Sequence, residues 1–404
     1  MPTQRQAGSG NEHRLDYQTS KSVSYSKEMG LASTVAPEDT VMSEANVGAD
    51  FDSQQADAFA GNLLETLNRG ALCLMVSIGH RTGLFDAMRD QPPLSSSELA
   101  VRAGLNERYV REWLGAMVTA GVVECSGSPP QFHLPAEHAA FLTRAAAADN
   151  VAVFAQYIAL LGSVEDDIVE CFRNGGGVPY ARFPRFHEVM AEDSGQSVLS
   201  SLESHILPLI PGLIDRLNSG IKALDVGCGR GRIGLRLAEL FPNSHFVGFD
   251  LSEDAIAAAR QEATDRALTN IIFQAADLSD FHECAETGAY DWITTFDAIH
   301  DQAQPLNVLK GIHRALHGNG VYLMQDIKGS SQVQGNIGHP IGTFLYTVSC
   351  MHCMTVSLAQ DGEGLGAMWG EEKTRECLLH AGFRSVEKHE LEHDFQNNWY
   401  VIRK

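Results

Sequence analysis

The sequence has no long hydrophobic run and comparatively few basic residues. No apolar segment approaches the about 20 residues that span a bilayer, and the N-terminus has no continuous apolar core of the signal-peptide kind. Lys and Arg number 30 against 51 Asp and Glu, which gives a formal net charge of −21. A negative field repels phosphate backbones and anionic membrane surfaces. These absences argue against membrane and nucleic-acid partners and favour a cytoplasmic protein with small or cationic ligands.

The cysteines show no disulfide pattern. The eight residues, scattered from Cys73 to Cys377 in apolar contexts, lack the regular spacing of a disulfide-stabilised scaffold. Reduced thiols in a cytosol-like compartment are the simplest interpretation. The 404-residue length and a hydrophobic content of 44% favour two domains with sizeable cores.

Residues 1–50 are rich in Ser, Gln, Thr and Gly and contain few large apolar side chains. Such a segment cannot bury enough surface to offset its ordering entropy, which predicts a disordered tail. An organelle-targeting peptide is the alternative, against which Glu12, Asp16 and Glu28 argue.

Residues 51–145 read as a winged-helix domain. Apolar residues recur at helical spacing from about residue 54, a serine cap precedes a second helical pattern near 94–100, and residues 106–120 form an amphipathic helix. Two short strands, 121–124 and 131–134, flank a turn. The candidate recognition helix offsets Arg108 and Arg111 with two glutamates, so it suits dimerisation and substrate capping better than DNA reading.

Residues 146–219 form a helix-rich linker that contains an aromatic segment. Three glycines at 175–177 precede Tyr180, Phe183, Phe186 and His187, which are interleaved with prolines. The segment suits a rigid wall of a substrate pocket, and packing of the linker is the alternative.

Residues 220–404 alternate strand and helix. Strands are predicted at 222–226, 245–249, 271–274, 291–296 and 320–325, followed by an insertion at 327–370, a helix at 371–381 and strands at 384–391 and 395–402. This rhythm predicts an α/β fold with a parallel, doubly wound, Rossmann-like sheet.

A glycine-rich loop follows the first of these strands. Residues 224–231 read Leu-Asp-Val-Gly-Cys-Gly-Arg-Gly, with glycines at 227, 229 and 231. A dinucleotide-binding fingerprint would need glycine at 232, where Arg232 stands. The acid-x-Gly-x-Gly-x-Gly pattern instead resembles the first motif of class I S-adenosylmethionine (SAM) methyltransferases.

The resemblance implies a SAM site with one group for each part of the cofactor. Asp225 would balance the ammonium and Asp250, beside Leu251, would accept the ribose hydroxyls. Asp277 with Leu278 would read the adenine, and Phe296 and Asp297 would lie beside the methionine moiety. The glycines at 227, 229 and 231 would make room for the ligand.

Residues 297–302 indicate the chemistry of transfer. They resemble the segment of winged-helix O-methyltransferases in which a histidine is the general base, which would be His300 here, oriented by Asp301. Gln302 replaces the tryptophan of that segment. The alternative interpretation makes His300 a residue that holds the loop, and a thioether or thiolate acceptor would need no base.

The insertion contains soft and imidazole side chains. His339, Cys350, His352 and Cys353 suggest a metal site, but one crowded cluster in an apolar helical run is a poor ligand set, so no metal is predicted. A pocket lined by residues such as Met351 and His339 is the preferred interpretation.

Across about residues 55–404 the chain is similar to SAM-dependent methyltransferases with an N-terminal winged helix, of a mycobacterial type. The resemblance implies a homodimeric enzyme that methylates a small-molecule O, S or N nucleophile and releases S-adenosylhomocysteine. A SAM-responsive DNA-binding regulator and a protein methyltransferase are the alternatives.

Overall fold

The computed structural model describes residues 51–404, apart from the side chain of Ala148. The predicted tail or targeting peptide at 1–50 lies outside the described residues. The chain divides into two units, 1–58 and 59–404, and the first contributes only the beginning of helix α1 to this description. Within 51–404, no single helix is both long and apolar enough to cross a membrane; segments 186–209 and 213–219 meet that criterion only as a pair bent by 105°.

The N-terminal part of the described residues has a helical core. Its helices are α1 (Ser53–Thr82), α2 (Leu84–Met88), α3 (Ser96–Ala103), α4 (Glu107–Thr119) and α5 (Ala136–Leu142). Ser95 and Glu98 form a capping box that fixes the start of α3. Trp113 of α4 packs edge-on against Phe85 at 5.2 Å and donates its indole N–H to the carbonyl of Met75, so α4 is held against α1 and α2.

The wing is a two-stranded hairpin, β1 (Glu124–Ser126) and β2 (Gln131–His133). The prediction of a first strand at 121–124 was wrong by about three residues. Gly121 adopts φ +72° and the N–H of Val122 bonds to the carbonyl of Met117, so these residues close the end of α4 before any strand begins.

Both arginines of α4 form ion pairs on their own helix. Arg108 pairs with Glu112, and Arg111 lies 3.3 Å from Glu107. A DNA-reading helix keeps such groups free for phosphates and base edges. Both arginines are thus engaged on their own helix, and the dimerisation and capping role of this domain stays a prediction.

Helices connect this region to the sheet. They are α6 (Ala155–Gly162), α7 (Glu165–Asn174), α8 (Phe186–Ser197) and α9 (Leu213–Ser219). His80 of α1 is buried and bonds through Nε2 to Glu192 of α8 at 2.7 Å, and Gln156 of α6 donates to the same carboxylate. Hydrogen bonding by His80 lowers the pKa of Glu192 to about 2. The linker is thus tied to the N-terminal helix by a hydrogen-bonded carboxylate.

A seven-stranded sheet organises the C-terminal half. Its strands are β3 (Lys222–Val226), β4 (His245–Asp250), β5 (Ile271–Ala275), β6 (Tyr290–Phe296), β7 (Leu316–Ile327), β8 (Ser385–Leu391) and β9 (Asp394–Arg403). The order is β5-β4-β3-β6-β7-β9-β8, with parallel pairing up to β7 and antiparallel pairing of β9 with β7 and β8. The order reverses direction between β3 and β6, where open α/β sheets bind ligands.

Helices cover both faces of the sheet. They are α10 (Arg232–Leu240), α11 (Glu253–Asp265), α12 (Phe281–Cys284), α13 (Pro305–Ala315), α14 (Gly342–Val348), α15 (Met354–Leu358) and α16 (Gly370–Ala381). Residues Ser349–Cys353 form a π-helical turn between α14 and α15. Buried apolar clusters lie on the two faces, one around Trp292 and Trp399 and one around Tyr322 and Phe383. The predicted fold class is confirmed, although β7 begins four residues earlier than expected.

Candidate functional site

The three glycines of the loop between β3 and α10 have different structural roles. Gly227 and Gly231 have φ values of +76° and +69°, and a Cβ would lie 2.4 Å from Ala298 Cβ at 227 and 2.3 Å from the Phe273 ring at 231. Gly229 has φ +52°, but a Cβ there meets no heavy atom within 4 Å. Two of the glycines therefore serve close packing, and the third leaves space open above the sheet.

Asp250 fixes this loop against the end of the next strand. Its Oδ2 accepts the N–H of Gly229 at 2.7 Å and its Oδ1 accepts the N–H of Ser252 at 2.8 Å. Ser252 in turn caps α11 through the N–H of Ala255. The carboxylate is held in one orientation, and its remaining lone pairs are available to a ligand.

A cavity of about 810 Å³ opens at the carboxyl ends of the strands. Of the predicted cofactor residues, those that line it are Gly227, Gly229, Asp250, Leu251, Leu278, Phe296 and Asp297. All four members of the aromatic segment, Tyr180, Phe183, Phe186 and His187, line it as well, and so does Asp301. The structure therefore brings the predicted cofactor loop and the predicted substrate wall to one cavity, within the usual size of small-molecule sites.

Six predicted site residues are not among the described residues that line the cavity. They are Asp225, Gly231, Asp277, His300, His339 and Met351. Asp277 is exposed and its Oδ1 accepts the N–H of Ser279 at 2.9 Å, whereas its neighbour Leu278 faces the cavity. His339 bonds to the carbonyl of Lys328 at 3.1 Å, and Met351 packs in the cluster around Val356. Their proposed roles in binding stay predictions.

Asp225 lies just behind the glycine loop. The hydroxyl of Thr294 donates to its Oδ1 at 2.8 Å. Burial raises its pKa to about 7, partly opposed by the Thr294 hydrogen bond and reinforced by the charge of Asp250. A nearby ammonium would favour its charged form, but contact through the loop would require an intervening water or a shift of the side chain.

Asp297 has an unusual backbone and an unsatisfied side chain. It adopts φ +49° and donates its N–H to the carbonyl of Gln325 at 3.1 Å. Its buried Oδ1 has no hydrogen-bond partner among the described residues. Burial, followed by the charge of Asp326, raises its pKa well above the ordinary range. A strained residue with an unpaired carboxylate oxygen at a cavity is a good candidate for ligand binding.

Asp301 is positioned by the aromatic segment. The hydroxyl of Tyr180 donates to its Oδ2 at 2.7 Å. Burial raises the pKa of Asp301 to about 6, against the lowering influence of His300 and of the Tyr180 hydrogen bond. The contact fixes the wall of the cavity to the loop after β6.

His300 is 3% exposed and faces away from bulk solvent. Its Nδ1 lies 2.7 Å from Oδ1 of Asp326, and the indole N–H of Trp369 donates to the same oxygen at 2.9 Å. Burial lowers the pKa of His300, but Asp326 and then Cys353 outweigh it, so the pKa lies well above 6.5. This geometry suits a loop-holding role, while the catalytic role of His300 stays a prediction.

Sequence reasoning missed Asp326 and gave His352 no part in the pocket wall. Asp326 comes at the carboxyl end of β7, beside the strand that precedes the His300 loop, which is the signal that could have identified it. His352 is 1% exposed and stacks on Phe186 with 3.7 Å between ring centroids, so it supports the aromatic wall from behind. Within 51–404 no three His, Cys, Asp or Glu side chains are placed to hold a metal ion.

Alanine substitutions in the loop should separate packing from ligand binding. Gly231→Ala is expected to lower the melting temperature markedly, because its Cβ would overlap Phe273 in a left-handed backbone. Gly229→Ala should be less destabilising but should weaken cofactor binding, since its Cβ would project into open space at the cavity. Thermal unfolding and calorimetry with S-adenosylhomocysteine measure both effects. Equal losses of stability in the two variants would contradict this division.

Two segments of the chain match family models. Residues 70–144 match the family described as Rv2258c-like winged HTH domain, and residues 217–371 match the family described as methyltransferase domain. The malonyl-[acyl-carrier protein] O-methyltransferase of Bacillus anthracis is 29% identical over 153 residues, which are 37% of this chain and 49% of that protein. The chain thus spans about half the length of the curated relatives it matches.

Two solved structures share the fold across most of the chain. A putative O-methyltransferase from Nostoc punctiforme superposes with a TM-score of 0.62 at 19% identity, covering 85% of this chain and 98% of that one. Human N-acetylserotonin methyltransferase in complex with SAM gives 0.61 at 17% identity, covering 88% and 99%. The resemblance is one of fold, and it extends over the sheet and the winged-helix domain together.

Proposed function

Because the chain joins a winged helix-turn-helix domain to a class I methyltransferase domain, we propose that it transfers the methyl group of SAM to a small-molecule acceptor. The observation that carries the proposal is the shared cavity, in which the glycine loop and Asp250 lie opposite the aromatic segment. The reaction converts SAM to S-adenosylhomocysteine.

The residues present fit SAM. Gly229 leaves a cradle that a side chain would narrow, Asp250 has lone pairs free for the ribose hydroxyls, and Asp297 lines the same cavity. Bound SAM supplies an electrophilic methyl group on a sulfonium. Leu251 and Leu278 would pack against the nucleoside, and the aromatic segment would exclude water from the transfer.

A small acceptor is favoured over a protein or DNA. The cavity of about 810 Å³ is lined by Tyr180, Phe183 and Phe186, and its size suits a small molecule beside the cofactor. The arginines of the candidate recognition helix are paired within the helix, which speaks against a DNA-binding regulator.

All eight cysteines, which fall within the described residues, are free, which supports a cytoplasmic location.

The proposal is tested by cofactor binding followed by a turnover screen. Calorimetry with S-adenosylhomocysteine should give saturable one-site binding. A screen of hydroxy, amino, thiol and thioether metabolites with radiolabelled SAM should then yield labelled small-molecule product. Absence of cofactor binding would reject the assignment, and label transferred only to added protein would favour a protein methyltransferase.

We also propose that α1 mediates a homodimer. Its apolar residues Phe59, Leu63, Leu64 and Leu67 are between 54% and 68% exposed, while residues further along the helix pack in the winged-helix core. A contiguous apolar face on a helix of 30 residues is costly to leave in water and suits self-association with a second copy.

The double variant Leu64→Glu/Leu67→Glu of the full chain should shift the mass measured by light scattering from dimer to monomer. Val101→Glu, a matched change at an apolar residue 84% exposed on α3, should leave the mass unchanged. A dimeric double variant, or a monomeric wild type, would refute the α1 interface.

A further inference from the structure

The charge of the cavity is strongly one-sided. Its carboxyl groups belong to Glu188, Asp250, Glu253, Asp254, Asp297 and Asp301, against the two arginines 185 and 230. Arg185 donates to Glu188 and to Gln156, so Arg185 and Glu188 compensate each other and five carboxyl groups remain against Arg230. The cavity therefore opposes anionic acceptors and favours positive charge.

These acids divide between the two ends of the cavity. Asp250 and the residues that follow it lie where the glycine loop meets α11, on the cofactor side. Asp297 and Asp301 come instead from the loop after β6, and Asp301 is bonded to Tyr180 of the aromatic wall. The acceptor thus meets carboxylates that do not belong to the ribose-binding end.

Aromatic rings surround the same end. Tyr180 lies 5.8 Å from Phe186 and 6.0 Å from His187 between ring centroids, and Phe186 is backed by the stacked ring of His352. Aromatic faces bind quaternary ammonium and sulfonium groups, because ring quadrupoles stabilise a cation that cannot donate a hydrogen bond, and a nearby carboxylate adds to this attraction.

The predicted general base does not line this cavity. The Nδ1 of His300 bonds to Asp326, which leaves Nε2 as the atom that would take a proton, and His300 is not one of the described residues that line the cavity. Methylation of a hydroxyl requires a proton to leave, whereas methylation of an uncharged amine or thioether that carries no proton on the acceptor atom does not.

We propose that the acceptor is an uncharged tertiary amine or thioether and that the product is a cationic onium compound; this inference rests on the proposed methyltransferase function. The acceptor's lone pair forms a bond to the methyl carbon while the methyl–sulfur bond of SAM breaks, and that bond's electron pair stays on the sulfur. The positive charge moves to the acceptor atom, and no proton is released. Asp301 and the faces of Tyr180 and Phe186 stabilise the charge as it arrives.

Two isosteric probes test the proposal without knowledge of the acceptor. The protein is saturated with S-adenosylhomocysteine and titrated calorimetrically with choline or with 3,3-dimethyl-1-butanol, which has the same shape without the charge. Choline should bind at least about tenfold more tightly than the alcohol, as expected for a cation desolvated against aromatic rings and carboxylates. Equal affinities for the two probes, or no binding of choline, would overturn the proposal.

Variants locate the effect. Asp301→Asn should lower the affinity for choline at least about tenfold and leave the affinity for the alcohol unchanged. Asp149→Asn, the same change at an exposed residue outside the cavity, should alter neither affinity. If the melting curve shows that Asp301→Asn is unfolded, Phe186→Leu serves as the second variant. It keeps an apolar side chain but removes the ring, so it should reduce the preference for choline over the alcohol. Unchanged choline affinity in a folded variant would contradict the assignment. Failure to bind S-adenosylhomocysteine would instead reject the methyltransferase function.

Discussion

Replacing Asp250 by alanine is expected to weaken SAM binding at least about 100-fold. The ribose diol would lose two charge-assisted hydrogen bonds, each worth about 1.5 to 3 kcal/mol, and tenfold in affinity corresponds to about 1.4 kcal/mol. The variant also frees the N–H groups of Gly229 and Ser252, which the carboxylate now holds at 2.7 and 2.8 Å. Loop order and ligand contacts are therefore lost together. Calorimetry with SAM and with S-adenosylhomocysteine measures the effect.

Two further aspartates sharpen this experiment. Asp280→Ala removes an exposed carboxylate outside the cavity and should leave the dissociation constant unchanged. Asp277→Ala tests the predicted adenine contact directly, because its side chain is exposed and turned to the N–H of Ser279. A loss comparable to that of Asp250→Ala would show that Asp277 turns inward on binding. An unchanged affinity in Asp250→Ala itself would contradict the cofactor site.

The parts of the fold that follow from local pattern could be predicted from sequence. The strands from β3 to β7 combine apolar runs with acids and glycines at their ends, so both the parallel sheet and the position of the glycine loop were predictable. The ends of parallel strands meet at one edge, which is why Asp250 and Asp297 lie on the same cavity.

Side-chain direction could not be predicted in the same way. The spacing of the sequence places Asp277 and His300 after their strands. It does not reveal that the side chain of Asp277 accepts the N–H of Ser279, or that His300 bonds to Asp326. The predicted start of the first wing strand was wrong for a related reason, because the N–H groups of Gly121 and Val122 bond to carbonyls at the end of α4. Each of these outcomes depends on competition among local hydrogen-bond partners, which periodicity does not contain.

The pairing of His300 with Asp326 predicts a large effect on stability. Both side chains are at most 3% exposed, and removing one member of a buried charged pair typically costs about 3–5 kcal/mol because the other charge is left uncompensated. His300→Ala should therefore lower the free energy of unfolding by about this amount at pH 6. Urea denaturation of wild type and variant at matched pH measures it.

The pH dependence of that difference distinguishes the two interpretations of His300. Its folded pKa lies well above the ordinary 6.5, because the attraction of Asp326 outweighs burial. The stabilisation is therefore complete below pH 6.5 and is lost as the pH rises through the folded value, so wild type and variant should differ less at pH 9 than at pH 6. Asp326→Asn should reproduce this trend.

A general base instead predicts that His300→Ala keeps its stability and its SAM affinity and loses turnover. The wild-type rate profile should then show the ionisation of His300, above its ordinary pKa of 6.5. If His300 holds the loop, the stable fraction of the variant should retain turnover, as an acceptor that releases no proton requires.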